Sequence, residues 1–172
     1  YNVIISDLKE ENLIKAKEEL DKIESQSKVE YCICNVTSKK DIQGLIDFTT
    51  TKFEIIDIWI NNAGVNQPDK AIWELTEEDI DQVLDVDLKG AIMGSKLALE
   101  EMSKQHSGAI YNLEGYGSND AMMLGLSMYG TSKRAITYFT QALAKESEQK
   151  QTGVLVGRLS PGIMITEFIT NA

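Results

Sequence analysis

The chain has 172 residues, of which 17 are basic and 27 acidic, and its formal net charge is −10. With 42% hydrophobic and 26% charged residues, this composition is typical of one globular domain with a core of its own. So acidic a surface would be repelled by nucleic acid or by an anionic membrane, and we expect neither as a partner. No apolar run reaches the roughly 18 residues that a membrane helix needs and no basic leader is recognisable, so we predict a cytoplasmic protein.

Short apolar runs alternate with amphipathic stretches along the whole chain. The predicted strands are residues 3–6, 29–34, 55–60, 109–112 and 154–158. Helices are predicted between them, two of them long, over residues 76–102 and 129–146. Alternation of this kind predicts a parallel sheet with helices on both faces and right-handed crossovers. With two prolines and no repeat or low-complexity linker, we expect a single domain over residues 1–172.

Two helix starts are marked by capping pairs. Ser38 with Asp41, and Thr76 with Asp79, each place a hydroxyl three residues before a carboxylate and ahead of an amphipathic run. A third helix is predicted to begin near Tyr129. The chain has two cysteines, Cys32 and Cys34, in one strand pattern. We predict buried, unreactive thiols and no metal site.

The residues with the strongest chemical signal are Tyr129 and Lys133. They are four residues apart at a predicted helix start, so the phenol and the ammonium share one face of the helix. A tyrosine of ordinary pKa near 10 is a poor acid or base at neutral pH. We expect the Lys133 ammonium to lower the pKa of Tyr129 by stabilising its phenolate.

Further motifs follow in a fixed order. Asn-Asn-Ala-Gly at residues 61–64 closes an apolar run, Tyr-Gly-Thr-Ser-Lys occupies residues 129–133, and Pro-Gly with a threonine occupies residues 161–166. Together they resemble the short-chain dehydrogenase/reductase family, and the resemblance covers the whole chain. Residues 112–118 are most similar to the branch that contains the chlorophyll b reductases and their bacterial relatives. The resemblance implies an α/β fold, a Rossmann-like doubly wound parallel sheet.

Compared with members of this family, the chain resembles the central portion of a member. It begins in what the resemblance identifies as the family's second strand, its first glycine is Gly44 in a helix, and it ends before the family's last strand. The glycine-rich turn that holds a pyrophosphate has no counterpart here. We therefore expect a domain truncated at both ends, in which the strands around Val3 and residues 109–112 lose backbone partners.

The resemblance implies the catalytic roles. Tyr129 would be the proton donor and acceptor, and Lys133 would modulate it and bind the nicotinamide ribose. The family's catalytic serine usually stands thirteen residues before the tyrosine, where this chain has Tyr116. Ser118 is the nearest alternative hydroxyl, a loop without catalytic duty is a third possibility, and Glu114 would help to orient a donor.

Asp87 corresponds to the family's structural asparagine, which holds a water of the proton relay. An ionised carboxylate accepts hydrogen bonds but donates none, so the relay would be rewired or Asp87 would be partly protonated. The alternative is an ordinary solvated carboxylate on a helix.

The cofactor that the resemblance implies is NAD, with NADP less favoured. Asp7, at the end of the first strand, would accept hydrogen bonds from the adenosine ribose and repel a 2′-phosphate. Asp7 followed by Glu10 also fits a helix cap, and both roles can coexist. The other implied cofactor contacts, besides Tyr129 and Lys133, are Asn35, Val36, Asn61, Ala63, Gly64, Pro161, Gly162 and Thr166.

We therefore predict an oxidoreductase that transfers a hydride between a nicotinamide cofactor and a small-molecule carbonyl or alcohol. The alternative is a non-catalytic dinucleotide-fold module or scaffold that cannot hold the cofactor. The resemblance also implies a homo-oligomer that pairs through the two long helices.

Overall fold

The computed structural model describes residues 1–23 and 26–162. Within these residues, five short strands alternate with five α-helices. The strands are β1 (Val3–Asp7), β2 (Val29–Ile33), β3 (Ile58–Asn61), β4 (Ala109–Leu113) and β5 (Leu155–Leu159). The helices are α1 (Glu10–Leu20), α2 (Lys39–Phe53), α3 (Glu77–Val83), α4 (Ala91–Gln105) and α5 (Ser127–Gln149). All five strands are where the apolar runs predict them, with bounds that differ by three residues at most.

Every strand pair in the described part of the chain is parallel. β1 pairs with β2, Val3 opposite Val29, and β4 lies between β3 and β5, with Ile110 opposite both Trp59 and Val156. The predicted α/β class and parallel pairing are confirmed. The strands form two sheets, β1-β2 and β3-β4-β5, rather than one, because no described strand bridges β1 and β3.

One expectation about the strand edges is wrong. We expected residues 109–112 to lose backbone partners, yet β4 is the central strand of its sheet and is hydrogen-bonded on both sides. The described strands with a free edge in that sheet are β3 and β5. Val3 of β1 and Ile58 and Ile60 of β3 are exposed.

The capping pairs begin their helices as predicted. The Ser38 hydroxyl accepts the Asp41 N–H at the start of α2, and Thr76 and Asp79 form a reciprocal capping box ahead of α3. The single long helix predicted over residues 76–102 is instead three segments: α3, a π-helical segment (Leu84–Gly90) and α4. A π segment widens a helix by one residue per turn and occurs frequently at functional sites.

One apolar cluster packs both sheets together. It contains Cys34 beyond β2, Ile42 and Ile46 of α2, Met102 of α4 and Ile110 of β4. α2 contacts β2, and α4 contacts β3 and β4. These helices therefore hold the carboxyl ends of the strands in fixed positions, and these ends carry the predicted site residues.

Candidate active site

The predicted site residues lie at the carboxyl ends of the strands and on the helices packed against them. Asp7 and Asn61 end β1 and β3, and the loop after β4 leads to the first turn of α5. In parallel sheets this is the edge at which ligands bind.

Tyr129 and Lys133 lie on the first two turns of α5. Tyr129 is half-buried, and Lys133 is buried, with 6% of its surface exposed. The ammonium nitrogen of Lys133 is 5.4 Å from the centroid of the Tyr129 ring. The helix thus brings the phenol and the ammonium together, as the four-residue spacing predicts.

Asp87 lies in the π-helical segment and faces Lys133. Its side chain is buried, with 1% of the residue exposed. Oδ1 accepts the N–H of Val65 at 2.7 Å, and Oδ2 lies 3.6 Å from Nζ of Lys133. Oδ2 accepts no hydrogen bond from the described residues. Burial raises the pKa of Asp87, and the Lys133 ammonium and the Val65 N–H partly offset this. The alternative of a solvated carboxylate is wrong, because this one is inside the protein.

The electrostatic environment of Tyr129 differs from the expectation. We expected Lys133 to lower the pKa of the phenol, but in the structure burial, followed by the Asp87 charge, raises it to about 12. Two physical reasons account for the difference: a half-buried phenolate loses hydration, and the ammonium charge is shared with a carboxylate.

The hydroxyls proposed to replace the family's serine are engaged in the loop after β4. Ser118, with 7% of its surface exposed, accepts the N–H of Gly115 at 3.1 Å and donates to the carbonyl of Lys133 at 3.4 Å. The exposed Tyr116 donates to the carbonyl of Met122. Glu114 pairs with Arg158 at 2.6 Å. These contacts hold the loop against α5, and the catalytic duty of Ser118 stays a prediction.

Two residues near Tyr129 belong to no recognisable sequence motif. Gly115 lies so close that a Cβ built on it would overlap the Tyr129 hydroxyl oxygen. Gln67, with 4% of its surface exposed, accepts the N–H groups of Met128 and Tyr129 at 2.6 and 3.2 Å, so it caps the start of α5. A glycine two residues after a strand and a glutamine three residues after Asn-Asn-Ala-Gly are weak signals, which only the three-dimensional contacts make visible.

Asn61 belongs to a buried polar network. Its amide nitrogen donates to Ser95 and to Asn112 at 2.9 and 2.7 Å, and its oxygen accepts the Trp59 indole N–H. Asn112 in turn donates to the hydroxyl of Thr140 on α5. The network ties β3, β4, α4 and α5 together.

At the adenosine end, Asp7 Oδ1 accepts the Lys9 N–H at 2.7 Å. The N-cap of α1 is Lys9, so the alternative that Asp7 caps this helix with Glu10 is wrong. The Asn35 side chain accepts from the backbone and hydroxyl of Thr37. Val36 packs on the side-chain-free face of Gly90 in the π segment.

The remaining predicted contacts lie after β3 and β5. Ala63 is exposed, and a Cβ on Gly64 would lie 3.5 Å from Nζ of Lys133. Pro161 and Gly162 are exposed beyond β5, Gly162 with a positive φ of 79°. Thr166 lies outside the described residues.

The chemistry of these residues fits one part of a nicotinamide cofactor. Lys133 can bind ribose hydroxyls, and the absence of a side chain at Gly64 leaves room beside its ammonium. Asp7 can accept from a second ribose. A pyrophosphate needs a set of backbone N–H donors at a helix start, and the first glycine of the chain is Gly44, inside α2.

Of the two cysteines, Cys34 is buried as predicted, whereas Cys32 is only half-buried. Burial raises the pKa of the Cys34 thiol to about 11, so it is not poised as a thiolate. Within residues 1–23 and 26–162, no three metal-ligating side chains cluster. No helix of the described chain is long and apolar enough to cross a membrane.

The motif order, the parallel α/β topology and the Tyr129–Lys133 pair define one class of proteins. The short chain dehydrogenase family matches the chain over residues 1–172. The chain belongs to this family of oxidoreductases, as its motifs predict.

Two relatives are similar to the chain in sequence. The probable chlorophyll(ide) b reductase NYC1 of Arabidopsis thaliana, a chloroplastic protein, is 35% identical over 160 residues, which are 92% of this chain and 32% of the relative. The chloroplastic chlorophyll(ide) b reductase NOL of Oryza sativa is 32% identical over 171 residues, 98% of this chain and 50% of the relative. The chain thus spans a third to a half of their lengths. Its similarity to the chlorophyll b reductase branch agrees with residues 112–118.

Among solved structures, the NAD⁺-bound xylitol dehydrogenase is 27% identical with a TM-score of 0.87, over 98% of this chain and 63% of that one. The fold prediction is therefore confirmed over almost the whole chain. A cytoplasmic location stays a prediction, since both relatives above are chloroplastic proteins.

Proposed function

We propose that the protein is an NAD-dependent oxidoreductase that interconverts a carbonyl and an alcohol, with NADP as the less favoured cofactor. The observation that carries this proposal is the half-buried Tyr129 one helical turn before the buried Lys133, whose ammonium is 5.4 Å from the ring. A phenol and a cation in this arrangement are suited to proton transfer to and from a substrate oxygen.

In the reduction direction, the Tyr129 hydroxyl gives its proton to the carbonyl oxygen, so that the phenol O–H bond breaks as the alcohol O–H bond forms. Lys133 stabilises the phenolate that remains. The pKa of Tyr129, raised to about 12, keeps the phenol protonated at neutral pH, although it makes the phenol a weaker acid than free tyrosine. When bound, the nicotinamide supplies the hydride that forms the new C–H bond.

The roles of the other site residues follow from their positions. Asp7 would hold the adenosine ribose, and Lys133 the nicotinamide ribose. Asn35 and Val36 would contact the adenine, and residues 61–64 and 161–166 the nicotinamide half. The Ser118 hydroxyl donates to the Lys133 carbonyl. Ser118 would orient the substrate oxygen if substrate binding breaks this hydrogen bond.

The loop between β4 and α5 favours a substrate with an apolar body. It ends at the first turn of α5, where Tyr129 lies, and Met122 and Leu124 on it are 91% and 97% exposed. Exposed apolar side chains in a cluster commonly mark binding surfaces. A carbonyl on an extended apolar molecule fits this rim better than a small polar one does.

The proposal is tested with the full-length protein by following NADH oxidation with a panel of apolar and polar carbonyl compounds. Tyr129→Phe should reduce kcat more than tenfold, a loss above roughly 1.4 kcal/mol, with cofactor affinity unchanged within a few fold. Tyr138→Phe is the matched control, because Tyr138 lies on the same helix and is exposed.

If Tyr129→Phe retained more than about a tenth of the parent kcat, the acid/base role would be refuted. Absence of cofactor binding and turnover in the parent protein would favour the alternative, a non-catalytic dinucleotide-fold module.

We also propose that the protein pairs with a second copy through α4 and α5. A groove of about 560 Å³ between these helices is lined by Ile92, Leu99, Phe139 and Leu143. Lys96, Glu100 and Glu146 border the same groove. An apolar strip with charges of both signs at its rim suits a self-complementary contact.

A further inference from the structure

The feature that neither family membership nor the proposed reaction explains is the buried carboxylate beside the site's only buried cation among the described residues. Asp87 is held rigidly, since Oδ1 accepts the Val65 N–H at 2.7 Å. This contact directs Oδ2 toward Nζ of Lys133, at 3.6 Å. The α-carbon of Gly64 adjoins both groups, and a Cβ there would contact Nζ and both carboxylate oxygens at 3.5 to 3.7 Å.

The structure places the Lys133 ammonium beside the Asp87 carboxylate in a buried ion pair. Nζ of Lys133 lies 3.6 Å from Oδ2 of Asp87, and both side chains are buried, with 7% and 0% of their surfaces exposed. Coulombic attraction falls with distance and strengthens where water is excluded. Tyr129 therefore faces an ion pair instead of a lone cation.

Other charges near Tyr129 have partners of their own. On the loop after β4, Glu114 pairs with Arg158 of β5 and Asp120 pairs with Arg134 of α5. Among the charged groups, Asp87 is the one that raises the pKa of Tyr129, in addition to burial. The ionisation of Tyr129 is thus coupled to the charge at position 87.

From this geometry we propose that Asp87 is a positioning residue that neutralises Lys133 and thereby sets the pH at which Tyr129 becomes a base. The inference rests on the proposed function in that Tyr129 is taken as the proton-transferring group. Carbonyl reduction needs the protonated phenol, so the protein should catalyse it over a wide pH range. Alcohol oxidation needs the phenolate, so its rate should rise only at alkaline pH.

An uncharged residue at position 87 leaves the ammonium free to stabilise the phenolate. Asp87→Asn is the sharpest variant, because asparagine has nearly the same shape and keeps an oxygen for the Val65 N–H. Asp85→Asn is the matched control. Asp85 lies in the same π segment, but its side chain is 46% exposed and its partner is Lys89.

The test is an NMR titration of protein labelled with ¹³C at the tyrosine ζ carbon, with the Tyr129 signal assigned by its loss in Tyr129→Phe. At about pH 10, the ordinary pKa of tyrosine, the Tyr129 signal of the parent protein and of Asp85→Asn should still have the chemical shift of the protonated phenol. In Asp87→Asn the midpoint should fall by about one pH unit or more, which is a tenfold or greater shift in the ionisation constant. The pH profile of alcohol oxidation should move in the same direction.

An unchanged or raised midpoint in a folded Asp87→Asn protein would overturn the proposal. Asp87→Ser also removes the charge and keeps a hydrogen-bonding oxygen, so it repeats the test with a different shape. If both variants lose their amide NMR dispersion, the carboxylate is required for folding and the proposal also fails. The titration needs no turnover, so a lowered midpoint in a protein without reductase activity would refute the proposed function alone.

Discussion

At the scale of single residues, Gly115 is the least expected member of the site. It lies two residues after β4, its N–H donates to the Ser118 hydroxyl, and a Cβ built on it would overlap the Tyr129 hydroxyl oxygen. Any side chain here would meet the phenol or the Lys133 Cγ, which would be 3.1 Å from a Cβ. The position of the Tyr129 hydroxyl therefore depends on the absence of a side chain at Gly115.

We predict that Gly115→Ala displaces the Tyr129 hydroxyl and lowers kcat by tenfold or more, while the protein loses roughly 1–3 kcal/mol of stability from overpacking. Gly44→Ala is the control. Gly44 is in the interior of α2 with nothing within 4 Å of a Cβ, so alanine should stabilise the protein by about 1 kcal/mol. Urea unfolding and steady-state kinetics measure both effects. Parent-like turnover in Gly115→Ala would show that the hydroxyl is not held by this contact.

At the scale of elements, the π-helical segment and α5 build the site. The π segment places the side chain of Asp87 inside the protein. Gly90, at the end of this segment, has no side chain, so Val36 can approach its backbone closely. α5 begins where Gln67 caps it and presents Tyr129 and Lys133 on its first turns. The same helix packs on β5 and, on another face, borders the groove shared with α4.

That groove leads to a prediction about assembly. Light scattering of the full-length protein should give the mass of a dimer or a larger oligomer, and Phe139→Glu should reduce it to a monomer by placing a charge in the apolar strip. Ile14→Glu on α1 is the control, because Ile14 is an exposed apolar residue away from the groove. An identical mass for the parent protein and Phe139→Glu would mean that these helices do not form the contact.

At the scale of the whole molecule, the two sheets share one apolar core, but β1, β2, β3 and β5 each have a free edge in the described part of the chain. Free strand edges offer unpaired backbone groups and promote aggregation. No glycine precedes Gly44, so residues 1–43 contain no glycine-rich turn whose backbone donors could surround a pyrophosphate.

We therefore predict that residues 1–172 expressed alone aggregate and bind NADH no more tightly than about millimolar, a binding free energy near −4 kcal/mol. Asp7 and Lys133 would contact only the two riboses. The measurement is a fluorescence titration combined with size-exclusion chromatography. Micromolar binding by a monodisperse chain of this length would mean that the pyrophosphate is held by other donors.

The sequence by itself determined the properties that depend on local spacing. Strand positions follow from apolar runs, the starts of α2 and α3 from hydroxyl-to-carboxylate pairs, and the meeting of Tyr129 with Lys133 from the pitch of a helix. Parallel pairing followed from the alternation of strands and helices, and the family from the order of its motifs.

Only the tertiary structure decided how the site behaves electrostatically. Asp87, Gly115 and Lys133 are distant in sequence, and the contacts among their elements bring the carboxylate to the ammonium and the glycine to the phenol. Burial then reverses the expected direction of the Tyr129 pKa, because desolvation depends on all the surrounding atoms and not on the neighbouring residues of the helix. The division into two sheets was equally unreadable from local patterns, since strand order is set by which edges find partners.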